Sequence, residues 1–246
     1  MIEIKISEPI DLRGFTFIEG FPGIGLVGPM AISYIIDKMK MDYVGYIDSD
    51  AFPPLVSIHN NVPMPPIRVY ASKKSKIFTI LAEFAIPLEQ MHELSGKIFD
   101  FIKQSGISKI VSISGVPTAK YDENGPVFAI GSSDAVSKEI QKAGLKAVGE
   151  GVATGVSALL LLASVDSDIP DYNILVPVDP AMVNPKYAET AITAINRLLK
   201  LNIDIDELDK EAKEVEAKIK DILKRHKEAQ DASRKTTEEA GPPTYV

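Results

Sequence analysis

The spacing of hydrophobic residues over the first 200 positions predicts short strands that alternate with helices. Apolar runs rich in Ile, Val and Phe predict strands at Thr16–Phe21, Tyr43–Ile47, Leu55–Ile58, Ile67–Tyr70, Ile77–Ala82, Lys109–Ser114 and Asn173–Val178. Helical spacing predicts helices at about Leu26–Met39, Leu88–Gln104, Asp134–Ala143, Gly155–Ala163 and Pro185–Leu199. This alternation indicates an α/β fold, with a mainly parallel sheet flanked by helices.

The stretch from Val44 to Phe84 departs from this alternation. It holds several predicted strands joined by Pro-rich turns and no helical pattern. We therefore expect a hairpin-rich insertion or an antiparallel edge here, because parallel strands need longer crossover connections.

A different pattern begins after Leu199. Hydrophobic residues recur at alternating steps of four and three, with charged residues between them: Leu201, Ile205, Leu208, Ala212, Val215, Ile219 and Ile222. This narrow seam predicts a helix of about seven turns, with Asp204 and Glu207 placed like a capping box. Such a helix must pack either on its own body or on a partner helix. The sequence thus divides into a core at 1–200, a helical arm at 201–228 and a flexible tail at 229–246.

Composition and charge exclude several classes of function. The chain of 246 residues has no cysteine, which rules out disulfides, thiolate nucleophiles and Cys-type metal sites. His59, His92 and His226 lack ligand spacing, so we expect no metal and no cofactor. The net charge of −7 argues against a nucleic-acid partner. The longest apolar run, Val156–Val165, is too short to cross a bilayer and the first residues lack a signal-peptide layout, so we expect a cytoplasmic protein.

Two glycine-rich turns are the best candidates for ligand binding. Gly23–Gly28 reads G-x-G-x-x-G between a predicted strand and a predicted helix, and Asp48 follows twenty residues later. That arrangement is typical of a dinucleotide site, in which glycines admit the pyrophosphate and the acid binds the ribose. Flanking Pro22 and Pro29 lack amide donors and favour the alternative, a tight turn that only packs a helix on a strand.

The second turn, Gly149–Gly155, precedes a helix of small and apolar residues. It could offer backbone amides to an anion, or it could be only the turn that leads into a buried helix. It lacks the Lys-Ser/Thr of a P-loop.

No set of residues has the spacing of known catalytic machinery. The residues with suitable chemistry are Ser57, Ser112, Ser114, Asp179, Glu83, Glu89 and His92. Ser114 ends a predicted strand, yet its surroundings are not a G-x-S-x-G elbow. Glu83 also ends an apolar strand, where we expect a structural acid bonded to the backbone. We therefore predict that the protein is not an enzyme.

The last five residues, Pro242-Pro243-Thr244-Tyr245-Val246, have the chemistry of a docking tag. The ring of Tyr245 can fill an apolar slot while a terminal carboxylate pairs with a lysine. The two prolines keep the approach extended and reduce the entropy lost on binding.

Three separated motifs, in order, resemble the proteasome assembly chaperone family in its archaeal branch. They are Phe21–Gly28, Ser114-Gly115-Val116-Pro117, and Gly149–Gly155 followed by a Leu-rich helix, and the resemblance spans about residues 1 to 200. It implies a phosphorylase/hydrolase-like α/β core, a homo-oligomer (tetramer or pentamer) and binding to α-subunits of the proteasome core particle.

The terminal Thr244-Tyr245-Val246 is similar to the hydrophobic–tyrosine–any-residue tail of proteasome activators, although Thr244 replaces a bulky hydrophobic residue. The resemblance implies that Tyr245 enters a pocket between α-subunits and that the carboxylate of Val246 meets a pocket lysine. An activator and an assembly chaperone both fit this sequence. A nucleotide-binding enzyme built on Gly23–Gly28 and Asp48 is the alternative.

Overall fold

The fold is known from a computed structural model that describes residues 1–118, 121–122 and 125–205. The first half comprises β1 (Glu3–Ile6), β2 (Thr16–Glu19), α1 (Val27–Lys38), β3 (Asp42–Asp48), β4 (Ser57–His59), β5 (Val62–Met64), β6 (Ile67–Ser72), β7 (Ile77–Ala82) and α2 (Leu88–Ser105). The second half comprises β8 (Lys109–Pro117), β9 (Phe128–Gly131), α3 (Asp134–Lys142), β10 (Lys146–Ala147), α4 (Gly155–Val165), β11 (Asp171–Val178) and α5 (Pro185–Leu199).

One nine-stranded sheet organises the molecule, in the order β1-β3-β6-β7-β2-β8-β11-β9-β10. Its centre, β7-β2-β8-β11, is parallel. The β1-β3-β6-β7 side is antiparallel, and β9 also runs antiparallel to β11. The predicted α/β class is confirmed. Parallel pairing dominates at the centre, and the interpretation of Val44–Phe84 as an antiparallel edge with a hairpin, β4–β5, is correct.

Two helical layers cover the sheet. Helices α1, α3 and α5 bury one face, and their cluster includes Ile18, Val111 and Ile174. Helices α2 and α4 cover the other face, with Phe17, Phe78 and Ile110. Neighbouring residues of one strand thus point into different layers, as strand geometry requires.

Local chemistry explains why several helix boundaries follow the sequence so closely. The side chain of Asn184 accepts a hydrogen bond from the amide of Lys186, and Pro185 occupies the first turn of α5. Ser133 caps α3 in the same way. Gly106, with a φ of 70°, ends α2 in the left-handed conformation that glycine adopts without strain.

The segment after α5 is not helical up to Ile205. The amide side chain of Asn196 donates to the carbonyl oxygen of Ile203 and accepts from its backbone N–H, both at 2.9 Å. Leu201 and Ile205, predicted to begin the helical seam, instead pack on the α1/α5 cluster in non-helical backbone. The rest of the arm and the tail lie outside the described residues. Within those residues, no helix is long and apolar enough to span a membrane.

Candidate functional site

The first glycine turn joins β2 to α1 at the carboxyl edge of the central strands. Ile24–Leu26 forms one 3-10 turn, in which Gly25 has a φ of 70°. Leu26 follows in the left-handed conformation, with a φ of 52°, and α1 begins directly after it. This edge is where open α/β sheets commonly bind ligands.

Close backbone packing accounts for the glycines of this turn. A Cβ atom on Gly28 would lie 2.6 Å from the backbone of Gly20, and one on Gly20 would lie 2.5 Å from that of Gly28. A Cβ on Gly25 would meet Val178 and Tyr187 at 3.1–3.3 Å. The motif therefore holds α1 against β2 and β11, which supports the packing interpretation.

Asp48 lies far from the glycine turn. The strand order places β3 three strands away from β2, a separation of about 14 Å at ordinary strand spacing. The carboxylate of Asp48 accepts a hydrogen bond from Lys5 at 2.8 Å, and this bond and the charge of Lys5 lower the pKa of Asp48. The pairing of Gly23–Gly28 with Asp48 as a dinucleotide site is wrong for this fold, because the fingerprint needs the acid on the adjacent strand.

The second glycine turn opens α4 at the same edge of the sheet. Thr154 is the N-cap residue, and its side chain makes no capping hydrogen bond. Gly155 has a φ of 84°, with no atom within 4 Å of the place where a Cβ would lie. The left-handed backbone therefore explains why residue 155 is a glycine. Anion binding at this turn stays a prediction. The expectation of a buried helix after the turn holds for one face of α4, with Val156 and Leu160 buried, whereas Leu162 is 68% exposed.

The structure places Ser112 in a buried polar layer beneath α4. Glu19, Ser112 and Asn173 lie side by side in register on β2, β8 and β11, and Asp171 lies two residues before Asn173. All four side chains are buried. Oxygen atoms on each of them have no hydrogen-bond partner among the described residues. Neither His59 nor His92, the two histidines that the structure describes, joins this layer, so the described residues offer Ser112 no base of the kind that activates a nucleophile.

Burial dominates the electrostatics of this layer. It raises the pKa of Glu19, although Ser112 and Ser157 lie against the carboxylate and offset part of the effect. Burial also raises the pKa of Asp171 well above its ordinary value, and repulsion from Glu19 adds to the shift. Two acids that favour their neutral forms can serve as hydrogen-bond donors in this buried layer.

Asp171→Asn is expected to remove the loss of stability that ionisation of Asp171 causes as pH rises above about 3.8. Because the pKa of Asp171 is raised in the folded state, its stabilising contribution is complete below about pH 3.8 and is lost as pH rises through the folded pKa. Asparagine has no such proton to lose. The variant's advantage in unfolding free energy should therefore grow with pH, by at most about 1.4 kcal/mol per unit.

Urea unfolding of both proteins across a pH series measures this difference. Asp11→Asn is the matched control, because hydrogen bonds from Arg13 lower the pKa of exposed Asp11 to about 2 and confine its effect to acid pH. An unchanged difference from pH 5 to pH 9 would show that Asp171 is already ionised.

A second polar cluster surrounds Glu83 at the end of β7. Arg68 donates from Nη1 and Nη2 to the two carboxylate oxygens at 3.0 and 2.8 Å, and Nε2 of His59 lies 3.0 Å from Oε1. Burial alone would raise the pKa of Glu83, but the hydrogen bonds and charge of Arg68 outweigh it and lower that pKa. Ser57 also lies against this carboxylate. The expected backbone-bonded acid is wrong: Glu83 is held by an arginine side chain.

The remaining catalytic candidates are not brought together. Glu89 and His92 are exposed on α2, while Ser114 lies in the second half of β8 and Asp179 directly follows the end of β11. The oxygen Oδ1 of Asp179 accepts a hydrogen bond from the backbone of Ala181, as in an ordinary turn. No group of three or more acids or histidines within the described ranges is placed to hold a metal ion.

Sequence reasoning missed Glu19, Asp171 and Arg68. Each of these polar residues lies in or beside a run of apolar strand residues. A polar residue in such a run is expected to be buried, and this is the signal that could have identified them. The predicted docking residues Thr244, Tyr245 and Val246 lie outside the described residues, as does His226.

Comparison with known proteins identifies the class to which this fold belongs. A model of the PAC2 family matches residues 17–223, so the chain is a member of the PAC2 family. The uncharacterized protein MJ0106 of Methanocaldococcus jannaschii is 28% identical over 233 residues, which cover 95% of this chain and 93% of that protein.

Two solved structures from Pyrococcus furiosus share the fold. PbaA, described as an archaeal homolog of proteasome-assembly chaperone, superposes with a TM-score of 0.83 at 28% identity, covering 93% of this chain and 100% of PbaA. PbaB, described as an archaeal proteasome activator, gives a TM-score of 0.75 at 23% identity, covering 90% of this chain and 98% of PbaB. The resemblance carried by the three sequence motifs is confirmed.

Proposed function

We propose that this chain is a non-enzymatic, cytoplasmic, proteasome-binding protein, either an assembly chaperone or an activator of the core particle. The observation that carries the proposal is the similarity to PbaA over nearly the whole of both chains, at an identity that links their sequences as well as their folds. The packing role of the glycine turn and the separate positions of the catalytic candidates support a binding function over an enzymatic one.

We further propose that Thr244-Tyr245-Val246 is the docking element. Tyr245 would fill a cleft between neighbouring α-subunits, and the carboxylate of Val246 would pair with a lysine there. One such tail binds weakly, so a homo-oligomer, a tetramer or pentamer, would gain affinity by presenting several tails to one ring. Tails bound in these pockets could open the gate or hold assembling subunits in register.

Deletion of Thr244-Tyr245-Val246 is expected to abolish binding to an archaeal proteasome core. The deletion removes both the ring and the properly placed carboxylate. Tyr245→Ala should act alike, whereas Thr244→Leu should strengthen binding by about 1 kcal/mol per tail through added apolar burial. Co-sedimentation and surface plasmon resonance with purified cores measure these effects.

Circular dichroism and light scattering of the same variants provide the control. Fold and oligomer mass should stay unchanged, since the sequence predicts a flexible tail at 229–246. A truncated protein that sediments with the core as fully as the intact protein would assign docking to the body of the molecule.

A further inference from the structure

The buried polar layer beneath α4 contains six oxygen atoms that have no hydrogen-bond partner in the described part of the chain. They are Oε1 of Glu19, Oγ of Ser112, Oγ of Ser164, Oδ1 of Asn173 and both carboxylate oxygens of Asp171. These five residues are at most 2% exposed. Buried polar atoms in native proteins nearly always have a partner, so this concentration of orphaned oxygens points to a bound species between α4 and the sheet.

Strand register directs these oxygens into one layer. Phe17 belongs to the core cluster beneath α2 and α4, so Glu19, two residues further along β2, faces the same helices. Ser112 and Asn173 continue this row in register on β8 and β11. Ser164 approaches from the other side, on the buried face of α4. Oxygen atoms from three strands and one helix therefore surround a common space.

Local hydrogen bonds fix the two acids with oxygens left over. Oε2 of Glu19 accepts a hydrogen bond from the amide of Phe21 at 3.1 Å, which leaves Oε1 for the layer. The amide of Asp171 donates to Oγ of Ser132 at 3.1 Å, and its carbonyl oxygen accepts from the amide of Ser132 at 3.0 Å. These bonds hold the backbone of Asp171 and leave its whole carboxylate unbonded.

A cation satisfies this set of atoms better than protons or water. Protons on the acids do not suffice, because neither carboxylate oxygen of Asp171 has a polar partner within hydrogen-bond distance among the described residues. Each water molecule donates two hydrogen bonds, so about three ordered waters would be needed. A hard cation binds oxygen ligands alone, and one Ca²⁺ takes about six to eight of them.

Charge and size favour calcium. Arg68 is the one basic residue among the buried residues that the structure describes, and it is bonded to Glu83. Glu19 and Asp171 thus lack a buried base, and two carboxylates balance one divalent cation. Ligands on opposite sides of a Ca²⁺ ion lie about 4.8 Å apart, which equals the spacing of neighbouring strands. Magnesium usually keeps several waters, for which a layer this buried is less suited.

We propose that Glu19, Ser112, Asn173 and Asp171, together with Ser164 of α4, bind one calcium ion that holds α4 against the centre of the sheet. This site is independent of proteasome binding. It lies outside the expectation of no metal, which rested on cysteine and histidine, and it contains only two acids. Its ligands are buried, so the ion enters as the chain folds.

A bound cation displaces the protons of its ligands. The pH dependence expected for Asp171 therefore belongs to the protein freed of calcium with a chelator. Chelator in that pH series keeps the two effects separate.

Refolding of the full chain tests the proposal. Protein refolded from urea with CaCl2 and then desalted should contain about one calcium per chain by plasma mass spectrometry. Its melting temperature should exceed that of protein refolded with EGTA, and MgCl2 should have a smaller effect. Asp171→Asn and Glu19→Gln should each raise the calcium dissociation constant by about tenfold or more. Asp11→Asn, which removes an exposed acid paired with Arg13, is the matched control and should keep the wild-type calcium content.

Three results would overturn this assignment. Wild-type protein without calcium and with equal melting temperatures in CaCl2 and EGTA would show that ordered water alone fills the layer. A folded Asp171→Asn variant with full calcium content, or equal loss of calcium in Asp11→Asn, would place the ion elsewhere. Circular dichroism shows whether each variant is folded, and the wild-type measurements decide the question even if a variant does not fold.

Discussion

Arg68→Met is expected to destabilise the protein by about 3–5 kcal/mol, because it leaves the carboxylate of Glu83 buried without its main partner. Arg68 is 2% exposed and Glu83 is 8% exposed. Besides its two bonds to Glu83, the guanidinium donates to the hydroxyl of Tyr70 at 2.9 Å and to the carbonyl oxygen of Pro65 at 3.0 Å. The substitution leaves all these acceptors short of a donor, so the loss should exceed that of an ordinary surface ion pair.

The pH dependence of the stability lost in Arg68→Met shows whether the unpaired charge of Glu83 causes that loss. In the wild-type protein the pKa of Glu83 is lowered, so its stabilising contribution is present at neutral pH and is lost as pH falls through the folded pKa. Without Arg68, burial should raise that pKa. The variant should then recover stability as pH falls, because a neutral Glu83 is less costly to bury than a charged one.

A double variant, Arg68→Met with Glu83→Leu, provides the control. Replacing a whole buried ion pair by apolar groups is often neutral, so most of the loss should be regained. Urea denaturation at pH 5 and pH 8 measures all three proteins. Single and double variants of equal stability would show that the loss comes from packing of the arginine and not from the unpaired charge.

Gly28→Ala is expected to destabilise the protein by about 3 kcal/mol or more, even though the substitution raises the helix propensity of this position. Alanine is favoured over glycine inside a helix by about 1 kcal/mol. Here, however, the new methyl group would lie 2.6 Å from the backbone of Gly20, where no flexible side chain can move aside. Overpacking of this kind forces the backbone of β2 and α1 apart.

Gly96→Ala is the matched control for this prediction. Gly96 lies in the middle of α2, is exposed, and has no atom within 4 Å of the place of its Cβ. This variant should gain about 0.5–1 kcal/mol in thermal or urea unfolding.

The same pair of variants tests the nucleotide alternative. Suppose that NAD or ATP raises the melting temperature of the wild-type protein. If Gly28→Ala then kept wild-type stability but lost this thermal shift, the ligand-binding interpretation of the turn would be restored.

The site residues show where sequence reasoning stops. Glycines, serines and acids could be picked out along the chain, but their partners could not. Ser112 meets Glu19 and Asn173, and His59 meets Glu83, only because strands distant in sequence are neighbours in the sheet. Asp48 has the sequence spacing from Gly28 that a dinucleotide site requires, but it does not lie on a strand next to β2. Strands β6 and β7 lie between β3, which carries Asp48, and β2.

Local patterns along the chain were enough to predict the class of fold and most element boundaries. Helix α5 was predicted at its observed bounds, because Asn184 and Pro185 are local start signals and the apolar spacing is regular. The strands β5, β9 and β10 escaped prediction, since two to four residues carry too little pattern and Pro63 interrupts β5.

Tertiary structure alone decided which face of each element is buried and which polar groups meet. The exposure of Leu162 on α4 could not be inferred from an apolar sequence, because burial depends on which residues of the sheet lie beneath the helix. That layer is polar only because Glu19, Ser112 and Asn173 come into register across three strands. Non-local pairing of this kind is set by the whole fold, whereas helix caps and hydrophobic periodicity are set within a few residues.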